Sequence, residues 1–283
     1  MKFKELEELI VEEAFYKKEK STELNYTFIS GQTGSGKSTY IKNNIEKNTI
    51  TITPDEYLQK IPIKLGSMEE KLEFITNISN KIEKIALENK HNIIVESTIF
   101  HPEYYFKEIE NIKKNGYEVN FLMIGTNKEV SSSQMLNRNE EHYHEALENN
   151  VQPRIGSLEM HDQLSYFLKN LIRELEESSK FDSIKIIRSA NEKELYNSNN
   201  NTQNTTGEEV FEKELNRPLK IQEIEKIKLL EKNILSSMEQ RNDPKLEMIK
   251  NFFEINKKTR KISSTTKLIR NITKNKNLKG NER

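Results

Sequence analysis

The residues in this sequence with the most specific chemistry are a lysine and a serine behind closely spaced glycines, Gly31-Gln32-Thr33-Gly34-Ser35-Gly36-Lys37-Ser38. Their spacing is G-x-x-x-x-G-K-[ST]. The run lies between an apolar stretch, Tyr26 to Ser30, and a helical one, Tyr40 to Glu46, which is the context that motif requires. Glycines let the backbone curl until its N–H groups and the next helix N-terminus face phosphate oxygens. The motif therefore assigns Gly31 to Ser38, with the adjoining Thr39, to ATP. Lys37 would reach the β and γ oxygens, and Ser38 would ligate Mg²⁺.

Transfer of a phosphoryl group needs a carboxylate near the acceptor hydroxyl, because positioning and proton removal are much of what a protein can add. Asp55, just past Pro54 at the end of an apolar run, sits on the same rim as the glycine loop and is a candidate base. It is equally well suited to be a helix N-cap. Glu96 closes Ile93-Ile94-Val95 and is an acid for the Mg²⁺ shell or for the acceptor, unless it is an exposed carboxylate with no role. Charge gathering on the transferred group calls for cations. Arg138 and Arg154 flank an irregular stretch of His, Glu, Asn and Pro of the kind that serves as a lid, although two arginines in a charged segment also read as solvated surface. His142 and His144 do not make a metal site, since residues two apart on a helix do not face each other. His161-Asp162 would cap a helix or brace the lid.

The elements that must position these groups read as an alternation. Short apolar runs at Tyr26–Ser30, Ile50–Thr53, Asn92–Glu96, Val119–Ile124 and Ile184–Ile187 predict strands buried on both faces of a parallel sheet. Ser67 with Glu70 forms a capping box, and Leu72, Ile75, Ile78, Ile82 and Ile85 follow on one helix face. Gly116, between Glu103–Lys114 and the strand at Val119, fits a left-handed helix cap. The pattern predicts a three-layer α/β domain of the P-loop NTPase type, with its site beyond the carboxyl ends of the strands. Asn197 to Gly207 reads as a polar loop or linker. Ile221, Ile224, Ile227, Leu230, Ile234 and Met238 then predict a C-terminal amphipathic helix. The division that follows is 1–218, with a core at 24–190, and a helical extension and basic tail at 219–283.

Composition limits the alternatives. The chain has 283 residues, 34% hydrophobic and 32% charged, so a share of it is expected outside the core. Zero cysteine excludes disulfides, thiolate metal sites and a cysteine nucleophile. No stretch approaches the roughly 20 apolar residues of a membrane span, and the opening lacks a signal-peptide core, so a cytoplasmic protein is expected. Net charge is zero, yet Lys250–Arg283 carries only Glu254 and Glu282 as acids. That tail is the one route to nucleic acid.

The motifs, taken in order, resemble the zeta toxin family of toxin–antitoxin systems over roughly Leu24 to Leu219. The matching runs are the GQxGSGKS loop, Thr53-Pro54-Asp55-Glu56-Tyr57, the IVEST strand end and KKNGYEVNFLMI from Lys113 to Ile124. LNRNE around Arg138, Pro153-Arg154 with His161-Asp162 downstream, and FEKELNRP from Phe211 to Pro218 complete the set. The resemblance implies an ATP-dependent kinase of the sugar 3-hydroxyl of UDP-N-acetylglucosamine, held in check by an antitoxin. It further implies that Lys37 and Ser38 hold ATP and Mg²⁺, that Asp55 is the general base, that Glu96 and Thr98 bind the acceptor, and that Arg138 and Arg154 stabilise the phosphoryl group. The chain departs from the family's E-G-T-G-R at one point: Glu96 is followed by Ser97-Thr98-Ile99-Phe100. A kinase of another small hydroxyl, or an ATP-dependent switch with a nucleic-acid-binding tail, are the readings it competes with.

Overall fold

The computed structural model describes residues 2–44, 46–62, 64–96, 102–149, 155–188, 193–201 and 205–260. Six strands form one sheet: β1 (Asn25–Gly31), β2 (Thr49–Ile52), β3 (Asn92–Glu96), β4 (Glu118–Gly125), β5 (Ser183–Arg188) and β6 (Lys193–Asn197), in the order β2-β3-β1-β4-β5-β6. The first five are mutually parallel, as the apolar runs predict. β6 is an antiparallel edge strand on β5, and sequence reasoning missed it. Its residues, KELYN, bury only Tyr196, so they carry no continuous apolar run to find. The stretch expected as a linker from Asn197 starts as the end of this strand, and its Gly207 opens a helix.

The helices about the sheet and after it include α1 (Phe3–Phe15), α2 (Lys37–Asn44), α3 (Pro54–Lys60), α4 (Met68–Glu88), α5 (Pro102–Lys114), α6 (Lys128–Asn149), α7 (Leu158–Ser178), α8 (Gly207–Leu215) and α9 (Ile221–Gln240). The capping box on α4 is present: Glu70 N donates to Ser67 Oγ (3.2 Å) and Ser67 N to Glu70 Oε2 (2.6 Å). Ile75, Ile78 and Ile82 are buried on that helix, whereas the predicted Leu72 is exposed and Lys71 is buried instead. Gly116 has φ +89° and donates to Lys113 O, the left-handed cap expected between α5 and β4.

The two faces of the sheet are unequal. Tyr26, Phe28, Phe121, Met123 and Ile184 belong to a large core shared with α1, α4, α5, α7 and α8. The opposite face has a small cluster of Ile29, Leu122, Ile124 and Ile187 with Ile41 of α2. Toward the amino ends it turns to Thr27, Asn120 and Lys185, which are half-buried. The runs are thus buried on both faces only near their carboxyl ends, where the glycine loop lies.

The chain divides into two compact units, Met1–Glu223 and Ile224–Arg283. In the second unit α9 is followed by a helical segment at 246–260, and Lys257 Nζ pairs with Glu231 Oε1 at 2.6 Å between them. Ile227, Ile234 and Met238 are buried, as the periodicity of α9 predicts, and Ile221 is exposed. The first unit, a mostly parallel six-stranded sheet flanked by helices, has a P-loop NTPase-like α/β fold.

Candidate active site

β1 lies centrally, with β3 on one side and β4 on the other. Chain connections leave in opposite directions about such a strand, and a crevice opens beyond its carboxyl end. The glycine loop fills that position, running from Gly31 into α2. Ser35 N donates to Gln32 O (3.0 Å), closing the turn. Gly34 has φ +78°, and a Cβ there would stand 2.2 Å from Ser131 O and 2.8 Å from Met135 N. Only glycine lets the loop lie this close to α6. Ser35 is fully buried, and its Oγ has no hydrogen-bond partner. A curled loop at the start of a helix, with a lysine beside it, suits a polyphosphate.

Lys37 Nζ donates to Gly31 O (2.9 Å) and Gln32 O (3.1 Å) and stands 3.8 Å from Glu96 Oε1. Both side chains are close to buried, at 13% and 8% exposure. Their meeting follows from register, since Glu96 on β3 is the partner of Ile29 on β1. Ser38, in the first turn of α2, is half-buried and Thr39 is exposed. Among the described residues no group of three or more His, Asp or Glu is gathered as a metal site. A divalent cation held mainly by phosphate oxygens and water needs only one or two protein ligands.

Asp55 lies just beyond the carboxyl end of β2, the neighbour of β3, so Asp55, Glu96 and the loop stand on three consecutive strand ends. The alternative reading of Asp55 as an N-cap does not hold. Thr53 is the N-cap of α3, Pro54 follows it, and Asp55 is inside the first turn. Thr53 Oγ1 instead donates to Glu56 Oε2 (3.1 Å).

The stretch expected to be irregular after Arg138 is helical as far as Asn149, so Arg138, His142 and His144 are all on α6. Arg138 is half-buried. Arg154 and Thr98 lie outside the described residues.

His161-Asp162 is not the cap of α7 either. That role belongs to Ser157, whose Oγ accepts from Met160 N (3.1 Å). His161 is buried, and its Nε2 is 2.9 Å from Ser131 Oγ. Ser131 Oγ also lies 3.1 Å from Lys128 O and accepts from Gln32 Nε2 at 3.4 Å. Burial pushes the pKa of His161 down to about 4, helped by Lys128 and Lys37 and opposed by Asp162.

Sequence reasoning missed the supports of the loop. Gln32, assigned to nucleotide, is fully buried and donates to Thr126 O (3.1 Å), while Thr126 Oγ1 donates to Ser35 O (3.1 Å). Asn127 caps α6 by accepting from Glu129 N (2.9 Å) and donates to Arg217 O (2.7 Å). Arg217 belongs to the FEKELNRP run. Its Nε donates to the buried Glu214 (2.7 Å) and its other nitrogens to Glu223, while Arg188 at the end of β5 grips Glu214 from the other side. The run thus braces the start of the helix that supports the loop.

The chain is similar to proteins already known. A family profile described as Zeta toxin matches residues 11–201. Toxin PezT of Streptococcus pneumoniae serotype 4 (strain ATCC BAA-334 / TIGR4) is 27% identical over 169 residues, 56% of this chain, and the chain spans 66% of that relative's length. A structure from the PezAT chromosomal toxin–antitoxin system of Streptococcus pneumoniae superposes with a TM-score of 0.70 at 23% identity, covering 84% of this chain and 96% of the other. The native AvrRxo1-ORF1:-ORF2 complex shares the fold more distantly, with a TM-score of 0.54 at 12% identity over 84% of this chain and 83% of that one. With the profile covering more than half of its length, the chain belongs to the zeta toxin family.

Proposed function

We propose that the chain is an ATP-dependent kinase that phosphorylates the sugar 3-hydroxyl of UDP-N-acetylglucosamine, acts as a toxin and is neutralised by an antitoxin. The family implies a kinase-like ATP-dependent phosphotransferase, and the similarity to toxin PezT supports the toxic role. The observation that carries the reading is the 3.8 Å approach of Lys37 to Glu96, with Asp55 on the next strand end. A phosphate-binding cation and two carboxylates on adjacent strand ends set a donor side and an acceptor side about one crevice.

In this reading the backbone N–H groups from Gly31 to Ser38 and the start of α2 hold the β and γ phosphates of ATP. Lys37 leaves its two carbonyl acceptors and Glu96 to bind them. Ser38 would hold Mg²⁺, which would supply positive charge against the phosphates. Asp55 takes the proton of the acceptor hydroxyl as its oxygen bonds to the γ phosphorus. The bond from that phosphorus to the bridging oxygen breaks, and ADP leaves. Glu96 orients the acceptor, and Arg138 and Arg154 spread the charge of the transferred group.

Ile99-Phe100, in place of the family's Gly-Arg, favours a second reading, a kinase of another small hydroxyl compound, because an arginine there would suit a phosphate-bearing acceptor. Asp55→Asn tests the mechanism common to both. It should lower turnover with UDP-N-acetylglucosamine by about 10² to 10⁴ at unchanged melting temperature and ATP affinity. Full turnover would remove Asp55 from the mechanism.

A further inference from the structure

Asn139 and Gly156 meet in a paired contact that none of the roles above requires. Asn139 is buried on α6; its Nδ2 donates to Gly156 O (2.7 Å) and its Oδ1 accepts from Gly156 N (2.9 Å). A primary amide presents one donor edge and one acceptor edge, and so does the backbone of one residue. The pair imitates one step of sheet pairing, fixing both the position and the rotation of Gly156.

What is fixed stands against the nucleotide loop. A Cβ built on Gly156 would lie 2.7 Å from Met135 Sδ and 3.6 Å from Thr33 Cγ2. Met135 is also the residue of α6 whose backbone N closes on Gly34. The same two turns of α6 therefore touch the loop at Gly34, hold Gly156 over Thr33 and carry Arg138, the residue before Asn139.

We propose that Asn139 is a positioning residue for phosphoryl transfer: its amide holds the backbone of Gly156 over Thr33 and ties the turn of α6 that bears Arg138 to that fixed point. The inference rests on the phosphotransferase reading. A purely structural role is separable from it, because Ser157 caps α7 through its own side chain and Asn139 takes no part in that cap. Gly156 is only half-buried, so its backbone can turn to water when the amide is lost, and folding is expected to survive.

The test uses the full chain with ATP, Mg²⁺ and UDP-N-acetylglucosamine, following ADP release, and measures ATP affinity by calorimetry. Asn139→Leu keeps the branched shape and removes both hydrogen bonds, whereas Asn139→Asp keeps the acceptor for Gly156 N–H. Displacing reacting groups by about 1 Å can cost about 10² in rate. The expected result is a kcat lowered about 10- to 100-fold in Asn139→Leu and less in Asn139→Asp, with ATP affinity within about threefold of wild type. Ser157→Ala, which weakens the adjacent helix cap, should lower the melting temperature and leave kcat alone. Wild-type kcat in Asn139→Leu would overturn the inference, as would an equal loss of kcat in Ser157→Ala. A wild-type protein that binds ATP but shows neither pattern in its variants defeats the inference alone. One that neither binds ATP nor releases ADP defeats the phosphotransferase reading and this inference together.

Discussion

Lys37 and Glu96 meet beyond the ends of two adjacent strands: the cation that opens α2 stands 3.8 Å from the acid that ends β3. Lys37 divides its charge between that carboxylate and two loop carbonyls. Glu96→Gln removes the competing anion. ATP binding, measured by calorimetry, should hold or tighten, while turnover with UDP-N-acetylglucosamine should fall about 10- to 1000-fold, because the acceptor loses a charged anchor. Weaker ATP binding in this variant would make Glu96 part of the nucleotide site instead.

The approach of Gly34 to Ser131 sets a steric limit. Gly34→Ala would force a Cβ to within 2.2 Å of a backbone oxygen at a φ of +78°. Gly116 has a φ of +89°, yet a Cβ there meets nothing nearer than 4.0 Å. Gly116→Ala should therefore lose only the conformational cost, about 1 to 2 kcal/mol, while Gly34→Ala should lose more and abolish ATP binding. Denaturant melts of the two variants, read with ATP titrations, make the comparison. Equal stability and intact ATP binding in both would show that the loop is not pinned to α6.

His161 predicts a pH dependence of stability with a definite sign. Its folded pKa of about 4 lies below the ordinary value of 6.5, because burial disfavours the charged ring. Between those values the unfolded chain binds the extra proton, so stability is fully present above about pH 6.5 and is lost as pH falls toward 4. At about 1.4 kcal/mol per pH unit the loss is on the order of 3 kcal/mol. Lys128 and Lys37 deepen it and Asp162 offsets part of it. His161→Gln, whose amide can still hydrogen-bond Ser131, should flatten this limb of a melting-temperature profile. An unchanged profile would mean that the ring is charged in the folded protein.

The clamp around Glu214 should be a large contributor to stability. Its carboxylate is 3% exposed and is held by Arg188 and Arg217. Glu214→Ala takes from Arg188 the carboxylate it grips, while Arg217 keeps Glu223, and should cost about 3 to 5 kcal/mol in urea unfolding. A cost near zero would place the brace of α6 elsewhere.

The sequence made the sheet legible because Ile, Val and Phe cluster where strands are central, and the glycine loop legible because phosphate binding demands one spacing. β6 escaped because an edge strand with one buried residue, Tyr196, has no pattern to betray it. The site's supports escaped for another reason. Gln32, Ser131 and His161 bond to partners 30 to 99 residues away, and Asn139 to the backbone of Gly156, 17 residues away, and no local period reports such partners. Asp55 was ambiguous because a carboxylate after a strand serves a cap and a base alike. The structure removes the cap reading by placing Thr53 in the capping position.

The measurement that bears most directly on the central claim is mass spectrometry of small molecules after incubating the purified chain with ATP, Mg²⁺ and a panel of nucleotide sugars. Lys37→Ala is the matched blank, since it removes the loop's fixed cation while Gly31 to Gly36 keep their backbone. The account predicts UDP-N-acetylglucosamine heavier by one phosphate with the wild-type chain, ADP in equal amount, and neither product with Lys37→Ala. A wild-type chain that leaves every acceptor unphosphorylated, or a Lys37→Ala chain that still transfers, would contradict it.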